Sequence, residues 1–195
     1  MAITYPLSLP TTIGIGSIEM RAVNAVATSR SVFSYKQQIV AHTGQRWEAS
    51  VSLPPVRRDL AAPWKGFLVS LKGPVGTFLL GNPDYATPLG DVSSCALSGS
   101  VGDETVTVVM TGTLKSGDYI QLGSGATAKL HQVVEDQTGD GSLEIWPALR
   151  TDYSSSTVVF NAAKGVFRLK ENVSSWSINN SSSYGISFEA EEAIT

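Results

Sequence analysis

The chain has only one cysteine, and this excludes two kinds of stabilisation. Cys95 has no second thiol with which to form an intramolecular disulfide or a multi-thiolate metal site. A chain without a disulfide framework fits a reducing compartment. No histidine and no cluster of cations stands near Cys95 in the sequence, so we predict a buried, inert thiol and not a nucleophile.

Charge is also sparse, at 16% of the 195 residues, with a formal net charge of -3. There is no basic run, so the footprint of a nucleic-acid-binding protein is missing. No apolar stretch reaches the roughly 18 residues that a membrane span needs, so no membrane insertion is expected. Residues 1–6 lack the features of a signal peptide. The hydrophobic fraction of 42% is sufficient for a core, which leaves Ser, Thr, Asn, Gln and Gly to cover the surface.

The strongest metal-like pattern is the string DQTGDG at 136–141. It has oxygen-bearing side chains at the first, third and fifth positions of an EF-hand loop, but the twelfth position is Pro147. The flanking residues have the pattern of strands. We therefore predict a β-turn at this point and no metal site.

Catalytic motifs are missing as well. The two histidines are His42, before a predicted turn at 43–44, and His131, in a predicted strand. No serine stands in the Gly-x-Ser-x-Gly elbow of a hydrolase. The Gly-x-Gly strings at 14–16 and 123–125 do not open a helix, so they predict turns and not phosphate sites. We predict no enzyme, with no catalytic, cofactor-binding or metal-ligating residues and no cofactor.

Hydrophobic residues alternate with polar ones along most of the chain, which is typical of half-buried strands. The clearest example is Trp47, Ala49, Val51 and Leu53, and the prolines at 54–55 end it. The alternation at Phe33, Tyr35, Gln37 and Ile39 predicts another strand, as does that at Ile186, Phe188 and Ala190. These are sheet faces of an all-β sandwich or barrel.

One segment has a helical period, at about 59–72. Its apolar residues fall on one face of an amphipathic helix, and they are Leu60, Trp64, Phe67, Leu68 and Leu71. Asp59 is a candidate N-cap, and Gly73 with Pro74 a candidate stop. Because proline is tolerated only in a first turn, Pro63 predicts that the regular helix begins at 62 or 63. Trp47 and Trp64 are predicted to share the interface between sheet and helix.

Short strands follow one another at 118–122, 129–135, 143–146 and 157–160, a spacing typical of a small barrel. We predict that residues 88–163 form this barrel as a domain inserted into a first domain made of residues 1–87 and 164–195. Trp146 and Trp176 fit either a core or a subunit contact.

Several segments between about residues 30 and 190 resemble minor tail proteins of tailed bacteriophages. They are Gln45–Pro55, the amphipathic helix, Gly76–Pro83, Lys115–Gly123, Leu143–Arg150 and Ala163–Leu169. The resemblance is a pattern of turns and aromatic residues with no catalytic motif, and its nearest functional analogue is the distal tail protein of long flexible-tailed phages.

This resemblance implies a β-sandwich ring-forming domain that carries an inserted small β-barrel domain. It implies a structural virion protein, a homohexameric ring that joins the tail tube to the tail-tip hub or baseplate. The implied partners are further copies of the chain, the tail tube protein, the hub and the tape measure protein. DNA would pass through the lumen without sequence-specific binding. The implied location is the virion tail, after assembly in the bacterial cytoplasm.

Two other functions fit the sequence less well. One is a receptor- or carbohydrate-binding module of the tail tip, with a platform of exposed aromatic residues at Tyr119, Trp146 or Tyr153 in the 88–163 segment. The other is an enzyme such as a cell-wall hydrolase, for which the sequence offers no nucleophile, metal or nucleotide motif.

Overall fold

The computed structural model describes residues 3–180 and 182–194, and the chain is all-β with one α-helix, as predicted. Met1, Ala2, Ser181 and Thr195 of the predicted first domain lie outside the described residues. The elements in chain order are β1 Ser17–Arg30, β2 Gln37–Ser52, α1 Arg58–Leu71, β3 Thr77–Leu80, β4 Ser94–Gly99, β5 Thr105–Thr111, β6 Thr113–Leu114, β7 Tyr119–Leu122, β8 Lys129–Val133, β9 Gln137–Thr138, β10 Gly141–Trp146, β11 Tyr153–Thr157, β12 Gly165–Leu169, β13 Trp176–Ile178 and β14 Tyr184–Glu192.

The first of two six-stranded sheets, sheet I, has the order β1-β2-β14-β12-β3, with β13 paired to β14. All these pairs are antiparallel. The alternation predicted at 47–53 is confirmed, because Trp47, Ala49 and Val51 are buried on one face of β2. The alternation predicted at 186–190 is confirmed in β14, where Ile186 and Ala190 are buried.

The second sheet, sheet II, has the order β11-β4-β5-β10-β8-β7 and curls so that its two ends meet. The ends join where the amide of Gln121 donates to the carbonyl of Val159 (2.7 Å) and the amide of Val159 donates to that of Gln121 (2.9 Å). Strands β6 and β9 form a separate small pair. The predicted strand at 157–160 is displaced, since β11 covers Tyr153–Thr157 and Val159 makes only this bridge.

Sheet I uses strands from both sides of the segment that forms sheet II. The two sheets nevertheless share core, because Tyr119 and Leu130 of sheet II pack among the buried residues of sheet I. Sheet II also has its own apolar core, which includes Leu97, Val108 and Leu143. The domain boundaries at 88 and 163 stay predictions.

Helix α1 covers the apolar face of sheet I through Ala61, Trp64, Phe67, Leu68 and Leu71. The predicted helix is confirmed, but its start is not. It begins at Arg58, so Asp59 lies in the first turn, and the N-cap is Arg57, which has no side-chain cap.

Pro63 lies inside this helix instead of at its start. The buried contacts of Ala61 and Trp64 on either side hold the turn in place. Ala61 thereby takes the buried position predicted for Leu60, which is exposed. The helix ends as predicted before Gly73, after Lys72 adopts a left-handed conformation (φ 53°).

The opposite face of sheet I is charged, and its charges are balanced. Glu48 lies between Arg46 (2.7 Å) and Lys170 (3.0 Å), and Lys170 also approaches Glu189 (3.6 Å). These contacts lower the pKa of the Glu48 carboxyl, chiefly through the hydrogen bond from Lys170. The same face holds four cations and four anions, namely Arg21, Arg46, Arg168, Lys170, Glu19, Glu48, Glu189 and Glu191.

Replacing Trp64 by Ala tests the packing of the helix on sheet I. Trp64 is fully buried and packs against Phe67 and Phe188. We expect the free energy of unfolding to fall by about 3–5 kcal/mol, measured by urea denaturation followed by circular dichroism. Val69→Ala on the exposed face of the same helix is the control, with an expected change within about 0.5 kcal/mol. Equal effects of the two variants would contradict this packing.

Candidate assembly site: a projecting hairpin arm

Strands β1 and β2 continue well beyond the body of sheet I. Strand β14 pairs with β2 only from Glu48 to Ser52. Past a bulge between Asn24 and Val26, the two strands pair only with each other, from Val26 opposite Ala41 to Arg30 opposite Gln37. We call residues 26–41 the arm. Every residue in it is exposed, so both faces of the arm meet water.

The tip of the arm is a turn at residues 31–36. The amide of Ser31 donates to the carbonyl of Lys36 (2.9 Å), and the amide of Tyr35 donates to that of Ser31 (2.9 Å). Tyr35 has a φ of 53°, a left-handed conformation that is rare for a bulky residue. Phe33 and Val32 project from this turn with 99% and 81% of their surface exposed.

The predicted strand face at Phe33, Tyr35, Gln37 and Ile39 is therefore wrong in its first half. Its alternating pattern belongs partly to a turn, because the turn contains no glycine, proline or asparagine to mark it. Serines provide the turn chemistry instead, as the hydroxyl of Ser31 accepts from the amide of Ser34 (3.3 Å). His42 is likewise in β2 and not before a turn.

The root of the arm is fixed to sheet II by two amide side chains that face each other across the hairpin, Asn24 and Gln45. Asn24 Oδ1 accepts from Nε1 of Trp146 (2.9 Å). Gln45 Oε1 accepts from the amide of Ala148 (2.7 Å), and its Nε2 donates to Glu104 (2.6 Å). Sheet II thus holds both strands of the hairpin at the point where the arm leaves the body.

A buried ion pair lies directly behind this root. Arg150 binds Glu192 of β14 (3.0 Å) and donates to the carbonyl of Gln45. Glu192 also accepts from the amide of Trp47 (3.2 Å). Removing either partner would leave a buried charge without compensation, which typically costs about 3–5 kcal/mol. We call residues 24, 45, 47, 146, 148, 150 and 192 the joint.

Trp47 is the central aromatic residue of the joint. Its Nε1 donates to the carbonyl of Leu130 (3.0 Å), and its ring meets that of Trp146 edge-on at 4.5 Å. Trp47 and Trp64 belong to the same core, but the predicted shared interface between sheet and helix is found only for Trp64, which packs against Phe188 of sheet I. Trp47 packs against rings of sheet II. Trp146 is half-buried inside the chain, while Trp176 is exposed, so its subunit contact stays a prediction.

Of the three aromatic residues predicted as an exposed platform for a binding module, Tyr119 is buried, and Trp146 and Tyr153 are only partly exposed. Tyr119 is buried against Trp47 and Tyr85. Trp146 contacts Trp47, and Tyr153 packs partly buried against the core of sheet II. The pattern of aromatic residues in strands did not distinguish exposed side chains from those covered by the other sheet.

The residues considered for a reactive or metal-binding role are either buried or bound to neighbouring groups. Cys95 is buried as predicted, and burial raises the pKa of its thiol to about 11. Asp136 binds Lys115 (2.8 Å), and Asp140 accepts from the amide of Met110 (2.8 Å). Within residues 3–180 and 182–194, no group of three or more His, Cys, Asp or Glu side chains could hold a metal ion. No helix in these ranges has the length and apolar character for crossing a bilayer.

His131 lies fully buried beside the joint. Its Nδ1 is 2.7 Å from the carbonyl oxygen of Pro147, while its Nε2 has no hydrogen-bond partner. Burial, together with the nearby charges of Arg150 and Lys129 and against the hydrogen bond to Pro147, lowers the pKa of the ring from 6.5 to about 4. His131 is therefore neutral at neutral pH in the folded protein.

Comparison with protein-family models gives no match for this chain, and no curated protein matches it either. The arm and the joint are therefore the observations on which a functional proposal must rest.

His131 makes stability depend on pH in a defined window. Between pH 6.5 and 4 the unfolded chain binds a proton that the folded chain does not, so stability is lost as the pH falls. The loss attributable to this group is up to about 3 kcal/mol. We expect His131→Asn, which cannot titrate, to show a flatter dependence of unfolding free energy on pH in this window. His42→Asn, at an exposed position, should match the parent protein, and identical profiles for all three proteins would contradict the assignment.

Proposed function

We propose that this protein is a structural subunit that closes into a homo-oligomeric ring through its arm. In this proposal the ring is the distal tail adaptor of a long flexible-tailed phage, as the sequence resemblance implies. It joins the tail tube to the tail-tip hub in the virion, and it also meets the tape measure protein. Six copies form the ring.

The observation that carries the proposal is the exposure of the arm on both faces. An isolated two-stranded hairpin is at best marginally stable in water, because it has no third strand or helix to cover it. This arm ends in exposed Val32, Phe33 and Tyr35. Exposed apolar groups of this kind are typical of protein interaction sites.

The length of the arm supports a ring. Its five paired positions, Val26–Arg30, carry the tip about 17 Å beyond the root at a rise of about 3.4 Å per residue. An arm that reaches from one copy onto the body of the next is a head-to-tail contact. Such contacts produce a closed ring when their rotation closes.

The charged face of sheet I supports the passage of DNA through the ring. Its four cations are matched by four anions on the same face, among them the Arg46–Glu48 and Lys170–Glu48 pairs. A phosphate that approaches this face meets three cations, Arg21, Arg46 and Lys170, that are already paired with carboxylates. Such a face gives DNA little electrostatic reason to remain bound.

Native mass spectrometry together with negative-stain imaging tests the proposal. We expect the parent protein at high concentration to form a closed ring with a central opening. The double variant Phe33→Ser/Tyr35→Ser should remain folded but lose the ring, because the tip contacts are removed. Val173→Ser, at an exposed position outside the arm, is the control and should form the ring normally.

A parent protein that stays monomeric at high concentration, alone and with the tail tube protein, would contradict the proposed ring. A ring that survives the double variant would exclude the arm tip as its contact. Immunogold labelling of purified virions tests the location, and the proposal requires label at the junction of tube and tip.

A further inference from the structure

The charges of the chain are distributed unevenly between the arm and sheet II. Arg30 and Lys36 are the only charged residues of the arm, which gives it a formal charge of +2. Residues 88–163 contain nine acidic and three basic residues, a formal charge of -6. The chain as a whole carries -3. The most acidic part of the molecule is therefore complementary to the arm.

The acidic charge of this segment is mostly uncompensated within the chain. Of its nine carboxylates, Asp136 is the only one with an ion pair among the described residues, to Lys115. The other two cations of the segment turn toward sheet I, where Lys129 donates to the carbonyl of Ala193 and Arg150 binds Glu192. Within residues 3–180 and 182–194, Arg30 and Lys36 of the arm have no ion pair either.

An apolar groove of about 630 Å³ opens on this acidic unit, beside strands β4 and β11. Its lining includes Ala96, Val109 and Phe160, and Val109 is 63% exposed. Asp140 lies close by, because it holds the amide of Met110 next to Val109. The groove thus offers the arm tip an apolar surface without charged lining residues among the described part of the chain, with the carboxylate of Asp140 close to Val109.

We propose that the arm of one copy docks on the sheet II unit of a neighbouring copy, with Phe33 in the groove at Val109. Arg30 and Lys36 then approach Asp140 beside the groove, within a unit of formal charge -6. This inference rests on the proposed ring and adds its receptor surface. Charge complementarity directs the arm onto this surface, and the apolar tip supplies the buried contact.

A second apolar groove is an alternative docking site for the arm tip, but its charge is less favourable than that of the groove at Val109. It lies on sheet I between residues 8–15 and 162–164, and among the described residues Lys164 is the only charged one in its lining. That cation has the same sign as the arm, so it opposes docking of Arg30 and Lys36. The described residues that line the groove at Val109 include no cation.

Cross-linking between two different single-cysteine variants tests the contact in trans. In a Cys95→Ala background, Phe33→Cys is mixed with Val109→Cys under mild oxidation, and disulfide-linked dimers are counted. Phe33→Cys mixed with Ala86→Cys probes the competing groove, and Phe33→Cys mixed with Val173→Cys is the control for random collision. We expect dimers at position 109 at least about tenfold above the control, because a docked pair is held in place.

Charge reversal gives an independent measure of the same contact. The variant Arg30→Glu/Lys36→Glu should weaken self-association roughly tenfold or more, measured by analytical ultracentrifugation. Added salt should weaken the parent protein in the same direction. Arg57→Glu/Arg58→Glu, at exposed positions beside the start of α1, is the control that changes net charge equally away from the arm.

The outcomes separate this inference from the proposed function. Cross-linking at position 109 supports the docking surface even if no closed ring is seen. A closed ring with cross-linking at position 86, or with none above the control, overturns the docking surface and leaves the ring in place. Self-association indifferent to both charge reversal and salt overturns it as well.

Discussion

The joint is the contact on which the rest of the structure depends. Trp47 and the Arg150–Glu192 pair connect sheet I to sheet II through buried polar contacts. Beside them, Asn24 and Gln45 bind Trp146 and Ala148 and so hold the root of the arm to sheet II. Close approach of the sheets also requires Gly165, because a β-carbon there would lie 2.9 Å from the β-carbon of Leu130. One hydrogen-bonded polar cluster therefore joins the two sheets and also holds the root of the arm.

The proposed function depends on the difference between the joint, which is held by hydrogen bonds, and the arm, which is exposed. Polar groups in the joint are hydrogen-bonded to one another, and Trp47 and Glu192 at its centre are buried. The arm has neither burial nor a third strand, and its two strands pair only with each other beyond the bulge between Asn24 and Val26. Because the root is held to sheet II while the tip is exposed, the arm of one subunit is free to contact a neighbouring subunit.

The sequence pattern predicted the strands and the helix more accurately than it predicted the arm and the joint. The alternation at 47–53 and the helical period at 60–71 report burial directly, so β2 and α1 were found. The helix begins at Arg58, earlier than predicted, because packing around Trp64 overrides the preference of Pro63 for the first turn of a helix. The joint could not be predicted, because its partners are far apart in the chain, as Gln45 and Ala148 are. The arm was missed because alternation does not show whether a strand has a second neighbour.

Hydrogen–deuterium exchange of the backbone amides, followed as protein concentration rises, tests the central claim most directly. We predict that the amides of residues 26–41 exchange fast in the dilute monomer and become protected from exchange only when the subunits associate. Amides of Trp47 and Val51 should be protected at every concentration. Strong protection of the arm in the monomer, or none in the assembled state, would contradict the account.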